Sequence, residues 1–133
     1  MPLVKVSIAR AIMLSLLSLA GCGGVRDVTR NKHYLSMSPF LPGHIYRLTR
    51  HAVLAPDGWL EGLQINPKQL NEQYAIISAG TRFHIDKVIL DDRVASLQFH
   101  PLGVLLDGPY EGHRIDTIKL EEGWVVEDPQ PRY

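Results

Sequence analysis

The chain has 133 residues, with 14 Lys and Arg against 14 Asp and Glu and a formal net charge of zero, and it holds a single cysteine. That balance lacks the basic footprint of a nucleic-acid binder and the polybasic patch of a protein held to lipid by charge, so no nucleic-acid partner is expected. One cysteine permits no disulfide within the chain, and the fold must be held by packing.

The first 22 residues have the layout of an export signal. Two cations, Lys5 and Arg10, precede an apolar run from Ala11 to Leu19, and the small residues Ala20 and Gly21 follow it. The run is about half of the roughly 20 apolar residues a spanning helix needs, and Ser15 and Ser18 interrupt it. Cys22 stands directly after the small pair. Leu19-Ala20-Gly21-Cys22 resembles the lipobox of bacterial lipoproteins. The resemblance implies cleavage between Gly21 and Cys22, a diacylglyceryl group on the Cys22 thiol and acylation of the new amino group. In enteric bacteria Asp after the cysteine retains such proteins at the inner membrane. Gly23 follows here, so the resemblance implies a protein attached to the outer membrane and facing the periplasm. From Cys22 onward 112 residues remain, with 12 basic and 14 acidic side chains, a net of −2.

Residues 22–43 read as a lipidated tether. Gly23-Gly24 are flexible, and Pro39, Pro42 and Gly43 discourage regular structure. Tyr34, Leu35, Met37, Phe40 and Leu41 are too apolar for a pure linker and are expected to dock on the domain that follows, residues 44–133.

In that domain Ile45 to Leu54 is rich in β-formers, with Tyr46 and Leu48 on one face. Pro56-Asp57-Gly58 is a turn signal, and Asn66-Pro67 reads as the cap and first position of a short helix reaching about Tyr74. Arg82 to Leu90 places Phe83 and Ile85 on one face but Val88 and Leu90 on the other, which predicts a bulge near Lys87. Val94 to Phe99 alternates, with Ala95, Leu97 and Phe99 inward. Residues 82–99 are therefore expected to form a hairpin whose Phe83, Ile85, Leu97 and Phe99 meet in one core. Pro101 and Gly103 are expected to break the ladder, and Val104–Leu106, Ile115–Leu120 and Trp124–Val126 to form further short strands. Short strands with turn signals every 8–12 residues argue for a mainly β fold, a small antiparallel barrel with one short helix. Ala79-Gly80-Thr81-Arg82-Phe83-His84-Ile85 resembles a strand entry of bacterial SH3-like domains, which implies a barrel of that kind.

Six histidines (His33, His44, His51, His84, His100 and His113) show no metal-ligand spacing. His84 and His100, on opposite arms of the hairpin, could approach one another near Asp86, but solvated or capping histidines are the preferred reading, and no metal or other cofactor is expected. Asp91-Asp92, Glu121-Glu122 and Glu127-Asp128 are adjacent turn acids without the split environments that acid–base chemistry needs. No Gly-x-Ser-x-Gly elbow and no phosphate cradle occurs. Asp107-Gly108-Pro109-Tyr110-Glu111-Gly112-His113 places one tyrosine at a turn, so Tyr110 and His113 are the candidate partner-binding residues, with Tyr110 more exposed than Tyr46. Trp59 and Trp124 stand beside glycines and are expected mainly to pack on the core. The resulting expectation is a non-enzymatic envelope lipoprotein that contacts an envelope protein or peptidoglycan. Ranked below it are a periplasmic ligand or metal binder or inhibitor, then a small cell-wall hydrolase.

Overall fold

In the computed structural model, residues 24–93 and 96–129 are described. The lipobox, Cys22, Val94 and Ala95 lie outside them. The organising strand is β6 (Arg82–Asp91), which pairs antiparallel with β7 (Gln98–Leu105). The register shifts between Ile85 and Lys87, so Asp86 is an extra residue on β6. That bulge returns Val88 and Leu90 to the face of Phe83 and Ile85, and all four are fully buried. The change of face in the sequence thus has the expected physical cause.

β7 departs from expectation. It runs unbroken through Pro101 and Gly103, pairing them with Val88 and Ile85. The Pro101 carbonyl accepts from the Thr117 backbone N–H at 3.0 Å and from its hydroxyl at 2.9 Å. The missing Pro101 N–H faces that same outer side, so the β6 ladder loses no donor. A Cβ on Gly103 would lie 2.1 Å from the His84 carbonyl oxygen, so glycine allows the close approach at the bulge. Leu97 is not in the core: it lies in the connection before β7 and is 49% exposed, while Phe99 is half-buried against the core edge.

On the other long edge β6 holds two strands end to end. β1 (Val25–Asp27) pairs with residues 89–91, and β2 (Ile45–Leu48) with residues 82–84. β8 (Arg114–Asp116) flanks β7, and β9 (Val125–Glu127) flanks β2, giving a six-stranded sheet. A three-stranded sheet is formed by β3 (Ala52–Leu54) between β4 (Leu60–Gly62) and β5 (Ala75–Ile77). Every ladder is antiparallel. The protein is mainly β. The pairings among the described residues make two antiparallel sheets, joined by a bridge between Trp59 and Asp116.

The segment read as a tether is part of this body. β1 occupies an edge of β6, Val28 N–H donates to the Val88 carbonyl at 2.9 Å, and the Thr29 hydroxyl accepts from Val88 N–H at 3.0 Å. A one-turn helix, α1 (Lys32–Leu35), follows, capped by the Asn31 side chain. Phe40 is 2% exposed and forms edge contacts with Tyr46 and Phe83, centroids 5.0 and 6.0 Å apart. Tyr34 and Leu35 pack on the core as expected, whereas Met37 is exposed. A tether would leave these apolar groups and the β6 edge to water, and the chain buries them instead. The helix expected from Pro67 to Tyr74 shortens to a 3-10 turn at Pro67–Gln69, with Asn66 capping Lys68 N–H as anticipated.

Candidate functional site

Tyr110 and His113 sit where the sequence placed them, in the turn after β7. Gly108 and Gly112 have φ of 81° and 84°, a conformation that glycine adopts without strain. Tyr110 is 37% exposed against 7% for Tyr46. Its ring meets that of His113 edge-on, centroids 6.2 Å apart, so the two residues form one small aromatic knob.

A larger feature lies on the three-stranded sheet. Directly paired residues share a face, so Glu61, Val53 and Ile76 stand together on the side away from the core. The connection from Leu63 to Tyr74 folds across this side. β3 is consequently covered on both faces, and Ala52, Val53 and Leu54 are all buried. The cover is incomplete. A cleft of about 610 Å³ remains between Glu61 and Gly62 of β4, Ile65, Leu70 and Tyr74 of the connection, and Lys119 and Trp124. A second hollow of about 290 Å³ shares Glu61, Tyr74 and Lys119 with it and continues past Trp59 and Pro56. Neither hollow is lined by Tyr110 or His113.

The walls are fixed. A Cβ on Gly62 would strike the Trp124 ring at 2.3 Å, so the indole lies flat on β4 because residue 62 has no side chain. The Trp124 indole N–H donates to the His51 carbonyl at 3.1 Å, and the Arg50 guanidinium stands 4.7 Å from the ring centroid. At the other end the Lys119 ammonium lies 3.9 Å from the Trp59 centroid. Both tryptophans are therefore part packing residue and part wall. Ile65 and Tyr74, 52% and 39% exposed, are the apolar groups the connection presents to solvent. The result is an open trough with aromatic faces, amides of Gln64, Gln69 and Asn71, carboxylates of Glu61 and Glu121, and one ammonium. None of the lining side chains is a serine, threonine, cysteine or histidine.

Elsewhere charged groups serve the fold. Arg114 grips the bulged Asp86, Arg82 grips Asp107, and Arg93 grips Asp91. Hydrogen bonds from these guanidinium groups lower the carboxyl pKa of each acid, to about 2 for Asp91. Burial pushes the Tyr46 phenol up. His84 and His100 do not meet, because His84 pairs with Val104 and His100 with Ile89 across the ladder. His100 instead bonds to Asp116 at 2.7 Å. Among the described residues no three His, Cys, Asp or Glu side chains gather as metal ligands.

Sequence reasoning did not nominate the cleft. The available signal was the twelve-residue stretch 63–74, long for a connection in a small domain and carrying Leu63, Ile65, Leu70 and Tyr74 among polar residues. No protein-family model, curated protein or solved structure matches the chain.

Proposed function

We propose that the chain is a lipid-anchored module of the bacterial cell envelope, fixed through Cys22, that holds an extended partner without performing chemistry on it. The anchor rests on Leu19-Ala20-Gly21-Cys22. The binding role rests on one observation, the trough between β4 and the 63–74 connection. It is open along its length and combines aromatic faces with amides and carboxylates. Such a surface suits a polymer that offers both apolar faces and hydrogen-bonding groups. A peptidoglycan strand has that chemistry, and so does an extended envelope polypeptide. The Tyr110–His113 knob is a second contact on the same partner or a neighbouring one.

Two measurements test this. Labelled palmitate supplied to expressing cells should enter the wild-type protein and not Cys22→Ser, which should move to the soluble fraction or remain uncleaved. The lipid-free domain should co-sediment with purified peptidoglycan sacculi or capture a single envelope protein, and Tyr74→Ala should weaken that retention severalfold without changing the melting temperature. Equal retention by Tyr74→Ala removes the trough from the binding surface. Membrane association of Cys22→Ser with normal processing removes the anchor.

A further inference from the structure

The way the body is fastened to the anchoring cysteine has a geometric consequence. Only Gly23 separates Cys22 from the first described residue. Gly24 is held on both sides, its N–H donating to the Asp92 carboxylate and its carbonyl accepting from Asp92 N–H at 3.1 Å. Val25, Arg26 and Asp27 then pair with Asp91, Leu90 and Ile89. The chain has no slack after Gly24, because β1 is a strand of the large sheet. Two extended residues span at most about 7 Å. A cysteine whose thioether chains lie in a bilayer therefore holds the Gly24 end of the body within about 7 Å of the headgroups, where a flexible tether of 20 residues would have allowed about 25 Å.

The surface at that end has fitting chemistry. Val25 and Leu97, 54% and 49% exposed, flank the hairpin end, where Val25 pairs with Asp91 and Asp91 with Gln98. Arg26 and Arg93 extend from the same place, their side chains 51% and 64% exposed. Each arginine is paired with a neighbouring aspartate, Asp92 or Asp91. The guanidinium ends stand in solvent, and a guanidinium has five N–H donors, so each can add a lipid phosphate while keeping the carboxylate it already holds. Aliphatic side chains next to arginines match an interface in which hydrocarbon lies just below phosphate.

We propose that this end of the body, carrying Val25, Arg26, Arg93 and Leu97, rests on the membrane that holds Cys22, with β6 and β7 directed away from it. This orientation depends on the lipid anchor proposed above. From the Asp91 to the Phe83 end of β6 the strand rises about 26 Å. The turn bearing Tyr110 and His113 follows Leu105, the partner of Phe83, so the knob faces away from the lipid and is free to meet a partner.

The test uses the full chain expressed in bacteria, purified with its lipid and reconstituted into vesicles of phosphatidylethanolamine and phosphatidylglycerol. Because lipid occupies the native thiol, Leu97→Cys and Tyr110→Cys each offer one site for a fluorophore. Both positions are exposed, and unchanged circular dichroism confirms that each labelled protein is folded. Energy transfer to a headgroup-labelled acceptor lipid should be roughly twofold or more stronger from position 97 than from position 110, as expected for ends about 26 Å apart. Equal transfer, or stronger transfer from 110, overturns the orientation while leaving the anchor intact. Mass spectrometry showing an unmodified Cys22 overturns the anchor and the orientation with it.

Discussion

Gly103 shows how one missing side chain can decide a strand. Its backbone lies so close to β6 at the Asp86 bulge that a methyl group would meet the His84 carbonyl oxygen at 2.1 Å. The obstacle is backbone, which cannot rotate aside. Gly103→Ala should cost about 3 kcal/mol or more, the upper end of a typical overpacked site, measured by urea denaturation. Gly123 has open space around its Cβ direction, and Gly123→Ala should leave the midpoint nearly unmoved. The same experiment separates two residues that the alternation pattern treated alike. Phe83→Ala should lose about 3–5 kcal/mol, because its ring is fully buried against Phe40 and Tyr46. Leu97→Ala should stay within about 0.5 kcal/mol, because its side chain stands in solvent. A large loss at Leu97 would contradict the register of β7.

At the level of elements, the edge of β6 is the critical feature. β1 and β2 share it, and between them Val28 and Gly43 supply N–H groups to the Val88 and Ile85 carbonyls at 2.9 and 2.7 Å. Residues 24–43 therefore complete the sheet. A chain starting at Gly24 should melt like one starting at Cys22, since it keeps β1, α1 and Phe40. A chain starting at His44 should fail to give a cooperative melt by circular dichroism, because it loses the buried Val28 and Phe40 and leaves one edge of β6 without its partner at Ile89, Leu90 and Asp91. A cooperative transition in the shorter chain would show that the N-terminal segment only decorates the body. Likewise the 63–74 connection is the element that turns the small sheet's outer face into a trough, by covering Val53 without reaching Glu61 and Trp124 closely enough to close the gap.

For the whole molecule, charge is spent on pairs that hold turns and the bulge. Asp27, Asp86, Asp91 and Asp107 all have carboxyl groups held below the ordinary range, by the Thr29 hydroxyl in the first case and by arginines in the other three. A carboxyl depressed in the folded state contributes stability that is complete above its unfolded value near 4 and is lost as pH falls through the folded value. Melting temperature should therefore fall progressively as pH drops from about 4 toward about 2, the value reached by Asp91. Asp91→Asn should flatten the lower part of that profile. An acid profile identical to wild type would mean that the Arg93 contact does not persist in solution.

Some of this was legible in the chain itself. The β character, the turns at Gly58 and Gly108, the bulge near Lys87, the Asn66 cap and the contrast between Tyr46 and Tyr110 all follow from local chemistry. Alternation, positive-φ glycines and capping side chains act over a few residues, and their signals survive in sequence. Partner strands were different. Whether 25–27 is tether or strand depends on the vacant edge of β6, more than 60 residues away. Pro101 is tolerated because its missing donor falls on the Thr117 side, which only the sheet order reveals. Leu97 and Phe99 share a period but not an environment, because β7 begins only at Gln98 and leaves Leu97 outside the ladder. The trough needed Glu61, Tyr74, Lys119 and Trp124 from four separate stretches, none with a motif of its own. Long-range pairing and the space left by imperfect cover are properties of the assembled body, so tertiary structure alone decided them.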